Sequence, residues 1–260
     1  MTELATTQQQ IQFRILLIGD ICIDEYKYGN VTRISPEAPV PVFVPDSHII
    51  KDGMAGNVRN NLEALGCKVT LKYSIDLEGK ISKKTRYIDK KSKQHIIRID
   101  EDRPTQALET SAFDNLDYDA IVVSDYNKGA VSYDLIEWLR KQYSGPIFID
   151  TKKTDLARFE GCYIKINKLE RRQAHTLPSS EYLIVTYGDS GAVYNEEHYS
   201  GIKAGDVTDV CGAGDTFLAA LTYKFVETNN IRAAIKFANK AAAITVQHLG
   251  VYAPCLGEIE

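Results

Sequence analysis

The sequence lacks the cysteine pairs and the long apolar segments that would place a protein outside the cell or in a membrane. Its five cysteines stand at positions 22, 67, 162, 211 and 255, and no two of them form a CxxC pair. This spacing predicts neither a zinc site nor a disulfide framework and favours a reducing, cytoplasmic location. No apolar run approaches the roughly 20 residues that span a bilayer, so we expect no membrane partner.

An excess of positive charge is also missing. The chain has 31 basic and 35 acidic side chains, which gives a formal net charge of −4. Nucleic acids and anionic membranes favour basic surfaces, so this balance argues against either as the main partner, although it allows a local basic site for a phosphorylated substrate. The polar residues 1–10 contain no apolar segment of the kind found in secretory signals, and we expect them to form a disordered tail.

The remaining 250 residues, 11–260, have the size and ordinary globular composition of one large α/β domain. Short apolar runs recur with helical patterns between them, at positions 13–18, 120–123, 146–149, 163–166 and 182–185. Such runs are typical of strands buried on both faces of a mostly parallel sheet. A polar residue follows each run, where ligands bind in open α/β sheets, although for any single residue the capping of the next helix is the simpler interpretation.

Two segments break this rhythm. Residues 40–44 alternate with prolines, which suits an edge strand, and residues 84–100 have the pattern of two strands around a polar turn. We expect a small β lid outside the main sheet, formed from about 26–52 and 84–100. An isolated two-stranded flap is marginally stable, so the lid is also where we expect a homodimer to form.

The segment DVCGAGDTF at positions 209–217 precedes an apolar helical pattern and carries the most chemical information. Its glycines permit a tight turn after which free N–H groups converge on one spot, where they would attract phosphate oxygens. Asp215 beside that spot could accept a proton from an attacking hydroxyl. The plainer interpretation is a glycine turn with an aspartate favourably placed near a helix N-terminus. Neither a P-loop nor a GxGxxG dinucleotide signature offers an alternative site.

Further motifs occur along the chain in a fixed order. They are GDICIDEY (19–26), RISPEAPVPV (33–42), GMAGNV (53–58), IRID (97–100), VSDYNKGA (123–130), IDTKKTD (149–155), NKLE (167–170), VTYGDSG (185–191) and FANKAAA (237–243). Together with DVCGAGD, this series resembles the ribokinase-like (PfkB) carbohydrate kinases from Ile15 to about Gly250. The stretch RISPEAPVPV is similar to the branch that phosphorylates C1 of D-glycero-β-D-manno-heptose 7-phosphate in ADP-heptose synthesis.

The resemblance implies a three-layer αβα sandwich with a mostly parallel central sheet and a small β lid, and it assigns roles by position. Asp215 becomes the catalytic base, and the N–H groups of Gly212, Ala213 and Gly214 become an anion hole. Residues implied to bind the sugar phosphate are Asp24, Gly53, Asn57, Arg98, Asp125, Lys128, Asp150 and Lys152. Residues implied to bind ATP are Asn167, Glu170, Thr186, Gly188, Gly191 and Asn239. Asn167 and Glu170 would also organise Mg²⁺ through water.

Three departures from the family pattern concern the substrate. Met54 stands where the second glycine of a GGAANV motif is expected, and the sequence is short between Tyr73 and Lys84 and between Glu170 and Tyr182. Two alternatives therefore stay open beside the heptose phosphate kinase. One is the same chemistry on a ribose or fructose derivative. The other is a non-catalytic dimer that binds nucleotide or sugar.

Overall fold

The computed structural model of the chain describes residues 12–203, 205 and 207–260. The tail expected at 1–10 lies outside these residues. The strands are β1 (Arg14–Gly19), β2 (Ile21–Ile34), β3 (Pro41–Met54), β4 (Lys68–Lys72), β5 (Ser82–Asp89), β6 (His95–Glu101), β7 (Ala120–Asp125), β8 (Ile147–Thr151), β9 (Tyr163–Asn167), β10 (Leu183–Thr186), β11 (Gly191–Tyr194) and β12 (Glu197–Ser200). The helices are α1 (Ala55–Ala64), α2 (Tyr133–Gln142), α3 (Lys168–Gln173), α4 (Ala213–Thr228), α5 (Ile231–Thr245) and α6 (Leu256–Ile259).

The main sheet has eight strands in the order β12-β11-β10-β9-β8-β7-β1-β4. Six neighbouring strands of this sheet pair in parallel, in the order β10-β9-β8-β7-β1-β4. Strands β11 and β12 pair antiparallel at one edge. The mixed α/β fold with a mostly parallel sheet, predicted from the apolar runs, is confirmed. All parallel strands therefore direct their carboxyl ends to one edge of the sheet, which is where ligands bind in such folds.

Helices cover both faces of this sheet and give three layers. In β1, Ile15 and Leu17 face the core beneath α1, α4 and α5, whereas Leu16 and Ile18 face the core beneath α2. Because both faces are covered, the strands are continuously apolar and do not alternate with polar residues. The α2 layer begins with a cap in which the Ser132 side chain accepts from the N–H of Leu135.

A second sheet of four strands, in the order β3-β2-β5-β6, stands beside the carboxyl edge of the main sheet. We call it the small sheet. A single residue, Asp20, separates β1 from β2, and β3 leads directly into α1. The small sheet is thus joined at both ends of its first hairpin to elements of the main layer. It covers the same part of the chain as the expected lid but begins earlier, at Ile21, and ends at Glu101.

The two connections that are short in the sequence, between Tyr73 and Lys84 and between Glu170 and Tyr182, contain little regular structure. Residues 73–81 link β4 to β5 through a turn, and a 3-10 turn at Ser180–Tyr182 precedes β10. Within the described residues, no helix has the length and apolar character needed to cross a membrane.

Candidate active site

Asp215 lies in the first turn of α4, beside the edge where the parallel strands end, and is 7% exposed. The side-chain amide of Asn57, in α1, donates to its Oδ2 at 2.8 Å. The hydroxyl of Tyr126, the residue after β7, donates to its Oδ1 at 3.1 Å. Two groups that are distant in sequence therefore hold the two oxygens of one buried carboxylate.

Burial raises the pKa of Asp215 to about 6, because desolvation disfavours the charged form. The hydrogen bonds from Asn57 and Tyr126 and the positive charge of Lys165 oppose this rise in pKa, whereas the nearby carboxylate of Asp150 adds to it. At neutral pH the side chain is ionised but more basic than an exposed aspartate. These are the properties of a general base.

The turn before α4 depends on the glycine at position 212. Gly212 has a φ of 78°, in the left-handed region, and a Cβ there would lie 2.8 Å from Nδ2 of Asn57. Both constraints favour glycine. The first N–H groups of a helix have no intrahelical acceptor and carry partial positive charge. Ala213 and Gly214 line the adjoining cavity, so the predicted anion hole borders a space that a ligand can enter.

That cavity has a volume of about 610 Å³ and is mainly apolar. It contains the predicted nucleotide residues Thr186, Gly188, Gly191 and Asn239 among its walls. Its other walls come from α4, α5 and the chain near Ile202 and Val207. The size and apolar lining are typical of a pocket that binds a small organic ligand.

Asn239 contributes to this cavity mainly by fixing its wall. Its Nδ2 donates to the carbonyl oxygens of Tyr199 at 3.2 Å and Ser200 at 3.3 Å. The amide therefore ties α5 to the end of β12. Its predicted contact with adenine stays a prediction.

Lysines and carboxylates alternate beneath the α4 turn. Lys165 donates to Oδ2 of Asp150 at 2.6 Å, and Nζ of Lys152 lies 3.8 Å from Oδ1 of the same carboxylate. Lys152 also pairs with Glu170 and lies 5.2 Å from the ring centre of Tyr126. The predicted residues Asp150 and Lys152 are thus brought close to the Asp215 cluster.

Asn167 and Glu170 form the capping box of α3. Oδ1 of Asn167 accepts from the N–H groups of Leu169 and Glu170, and Oε2 of Glu170 accepts from the N–H of Asn167 at 2.7 Å. Unused lone pairs remain for water, but the ammonium of Lys152 lies beside the carboxylate. The pair fits a hydrated Mg²⁺ contacted through its waters better than direct ligation. Among the described residues, no group of three or more His, Cys, Asp or Glu is arranged to hold a metal.

Asp24 projects from β2 and forms a buried ion pair with Arg86 of β5, both side chains being 7% exposed. Burial alone would lower the pKa of Arg86, but the charge of Asp24 raises it above its usual value. The guanidinium also lies 5.2 Å from the ring centre of Tyr26. The orientation of the predicted sugar ligand Asp24 is therefore fixed by an arginine from the neighbouring strand of the small sheet.

The GMAGNV segment packs closely against β2 at Gly53 and has a strained backbone at Met54. A Cβ on Gly53 would lie 2.5 Å from Sγ of Cys22 and 2.7 Å from Oδ2 of Asp24, so the side chains of β2 need a glycine there. Met54 has φ 56° and ψ −130° and is 3% exposed. This conformation favours glycine, so the departure noted at Met54 places a buried side chain on a strained backbone.

Three other predicted residues, Asp125, Lys128 and Arg98, have no hydrogen bond or ion pair with Asp215 or Asp150 among the described contacts and bind other partners. Asp125 is buried and accepts from Thr151 Oγ1 at 2.6 Å and from the N–H of Asn127. Lys128 pairs with Asp102 at 2.5 Å. Arg98, with a side chain 55% exposed on β6, pairs with Asp100. Substrate contacts by these residues stay predictions.

Sequence reasoning missed Tyr126, Lys165 and Arg86, which contact predicted site residues directly. Tyr126 stands inside the motif VSDYNKGA, but the motif alone does not indicate its role. Lys165 is the one charged residue of the strand YIKIN, and a charge within a buried strand is a usable signal. Nothing local in β5 marks Arg86, because its partner Asp24 is 62 residues away.

Comparison with known proteins fits this geometry. Residues 164–257 match the family described as pfkB family carbohydrate kinase. The chain is 34% identical to the bifunctional protein HldE of a Nitratiruptor species, over 95% of this chain and 64% of that protein. It is 30% identical to the bifunctional protein HldE of Sulfurimonas denitrificans, over 95% of this chain and 63% of that protein. The chain thus spans less than two thirds of the length of these relatives.

Solved structures show the same fold at low identity. A ribokinase from Thermotoga maritima superposes with a TM-score of 0.69 at 17% identity, covering 95% of this chain and 98% of that one. An Arabidopsis thaliana ribokinase, described in complex with ribose and ATP, gives a TM-score of 0.70 at 14% identity, covering 96% and 98%.

The chain has the fold of the solved ribokinases, and its buried carboxylate at a glycine turn lies at the sheet edge where such folds bind ligands. At residues 164–257 it carries a region of the pfkB family of carbohydrate kinases.

Proposed function

We propose that the protein transfers the γ-phosphoryl group of ATP to a sugar phosphate, and most specifically to the C1 hydroxyl of D-glycero-β-D-manno-heptose 7-phosphate. The observation that carries the proposal is the position of Asp215. It is buried, held by Asn57 and Tyr126, and adjacent to a helix N-terminus that borders a cavity of about 610 Å³. The identity to the two HldE proteins supports the heptose as substrate.

In this proposal the adenine ring occupies the apolar cavity, and the triphosphate extends to the N–H groups at Gly212–Gly214. The sugar lies between the small sheet and α1, with its hydroxyls near Asp24 and Asn57. Asp215 takes the proton of the attacking hydroxyl, while the helix N-terminus stabilises charge on the transferred group. Asn167 and Glu170 would contact the waters of a Mg²⁺ ion, which supplies charge neutralisation of the phosphates when it is bound.

The phosphate already on the sugar needs cations on the substrate side. Lys84, on β5, has its ammonium 5.1 Å from the ring centre of Tyr126, and Lys152 approaches the same ring. The tyrosine that holds the base therefore has two lysine ammonium groups close to its ring. This local positive charge, in a chain of net charge −4, suits an anionic sugar.

A substrate panel tests the function. ADP release would be measured with ATP and heptose 7-phosphate, and with ribose and fructose 6-phosphate as competitors. We expect the highest kcat/KM for the heptose and a product carrying a second phosphate at C1 by ³¹P NMR. A higher kcat/KM for another sugar would replace the heptose. Tight sugar binding by calorimetry with no ADP release would refute the kinase and favour a binding protein.

We also propose a homodimer formed through the small sheet. Apolar side chains on its strands are 43% to 60% exposed, namely Ile34, Val44, Ile49, Ile50, Ile97 and Ile99. Light scattering should give twice the chain mass, and Ile50→Glu should reduce it to that of one chain. A monomeric wild-type protein at micromolar concentration would contradict the dimer.

A further inference from the structure

We propose that Lys165 is a catalytic residue that donates to the phosphoryl group during its transfer, in addition to the backbone anion hole. This inference rests on the proposed kinase function but concerns a residue that no motif of the chain singled out. It follows from where the ammonium lies, from what burying it costs, and from the charge next to it.

Lys165 occupies the core face of a central strand. Its neighbours in β9, Ile164 and Ile166, pack into the α2 layer, so Lys165 points to the opposite face, towards α4. The residue is 3% exposed. An apolar side chain would normally fill this position, since lysine is almost never fully buried without a partner.

The ammonium lies directly under the α4 turn. A Cβ on Gly214 would be 2.9 Å from Nζ of Lys165, so only a glycine allows the two to approach this closely. Gly214 also lines the nucleotide cavity. The ammonium of Lys165 therefore lies against Gly214, the residue before Asp215. It is also beside the cavity where we propose that the γ-phosphate lies.

Stability does not account for this arrangement. The partner of Lys165 is Asp150, which faces it in the parallel register and accepts its hydrogen bond at 2.6 Å. Buried ion pairs are on average no more stable than well-packed apolar pairs. A cation next to the N-terminus of a helix is in addition repelled by the helix dipole. The carboxylates of Asp150 and Asp215 offset part of this cost, and a phosphate oxygen between the ammonium and the helix N-terminus would offset more of it.

Asp150 uses one of the three N–H donors of the ammonium, which leaves donors for a phosphate oxygen. In the transfer, the sugar oxygen forms a bond to the γ-phosphorus as its proton passes to Asp215. The bond from that phosphorus to the bridging oxygen breaks, and ADP leaves with the electron pair. Lys165 stays protonated throughout and donates to an equatorial oxygen whose negative charge is exposed during the transfer.

The test compares Lys165→Met with the double variant Asp150→Asn/Lys165→Met. Methionine keeps the shape of the stem and removes the charge, and asparagine removes the carboxylate that would otherwise be unpaired. We expect Lys165→Met to lower kcat by about 100-fold, the typical effect of removing one anion-hole donor. The double variant should regain the melting temperature but remain as slow. Lys141→Met, which breaks a surface pair with Glu137 on α2, serves as a lysine-to-methionine control with unchanged kcat.

A sugar-independent measurement separates this inference from the proposed function. Calorimetry would give the affinities for ATP and ADP, and only ATP carries the γ-phosphate. We expect Lys165→Met to weaken ATP binding while ADP binding is retained. ATP selectivity that disappears in the variant, in a protein that phosphorylates no sugar of the panel, would refute the function and support the Lys165 contact.

Two results would overturn the role of Lys165. One is a double variant that recovers wild-type kcat, because Lys165 would then serve only to neutralise Asp150. The other is an unchanged ratio of ATP to ADP affinity in Lys165→Met.

Discussion

The nucleotide side and the sugar side of this protein are built in different ways. The cavity proposed for the nucleotide is lined mainly by glycines and apolar side chains from the region between Thr186 and Val246, with Asp189 and Lys203 as its charged residues. The proposed sugar side is made of polar and charged groups that pair across long separations, such as Asn57 with Asp215, 158 residues apart, and Asp24 with Arg86, 62 residues apart. We therefore expect the first side to select its ligand mainly by shape and the second mainly by hydrogen bonds and charge.

This difference predicts how mutations separate. A hydrogen-bonded, charged pocket discriminates strongly between substrates, because an unmatched ligand leaves buried polar groups unpaired. An apolar pocket discriminates weakly. Changes on the sugar side should therefore affect turnover and substrate choice while nucleotide affinity is retained.

The largest expected effect is that of Asp215→Asn, which removes the base but keeps the shape. Turnover should fall by several orders of magnitude, while ADP affinity measured by calorimetry stays near that of the wild type. The folded pKa of Asp215, about 6, exceeds the ordinary value of 3.8, so the wild-type protein loses stability as pH rises from about 3.8 to about 6 and no more above that. The melting temperature of the variant relative to wild type should therefore increase over this pH range and be constant above about pH 7. Near-normal turnover would remove the base from the mechanism.

The next effect concerns the ion pair of the sugar side. Arg86→Met leaves Asp24 buried without its partner, a change that typically costs about 3–5 kcal/mol. We expect lower stability by urea denaturation and a higher KM for the sugar, with unchanged ADP affinity. Asp24→Asn/Arg86→Met removes both charges and should recover stability but not the sugar KM. Recovery of both quantities would mean that the pair is structural only.

A smaller change is expected in Tyr126→Phe, which removes one hydrogen bond to Asp215. Asp215 must be ionised to act, so wild-type kcat/KM should fall as pH decreases through about 6. The Tyr126 hydroxyl lowers this pKa, as do Asn57 and Lys165, while Asp150 raises it. The acidic limb of the pH profile should therefore move to higher pH in the variant. An unmoved limb would show that the pKa being observed belongs to another group.

The smallest effect tests the strain at Met54. Met54→Gly and Met54→Ala both remove the side chain beyond Cβ, but only glycine relieves the positive φ. The glycine variant should be more stable than the alanine variant by about 1 kcal/mol, the reverse of the order at most positions. Thermal unfolding of the two variants decides this. A more stable alanine variant would indicate that the backbone at residue 54 is unstrained.

The sequence was sufficient for the fold class because the apolar runs of β1, β7, β8, β9 and β10 are continuous, as burial on both faces requires. It also located the Gly212–Asp215 turn, since the glycines and the following helix are local signals. The contacts of Asp215 with Tyr126 and of Asp150 with Lys165 depend on which strands become neighbours. No local pattern encodes that, and β2 extends 14 residues where the sequence marks only a short segment around Asp24.

The junction at Asp20 has a consequence for how a substrate is received. Both oxygens of its side chain accept backbone N–H groups, from Lys128 and Ala130, and its own N–H and carbonyl bond to Ser124 and Ala55. These four hydrogen bonds restrain rotation at the start of β2, so we expect any opening of the small sheet to come from bending further along its strands. Asp24 and Asn57 would then have the same positions with and without a sugar. A sugar that binds there meets a preorganised floor and loses little affinity to rearranging the protein.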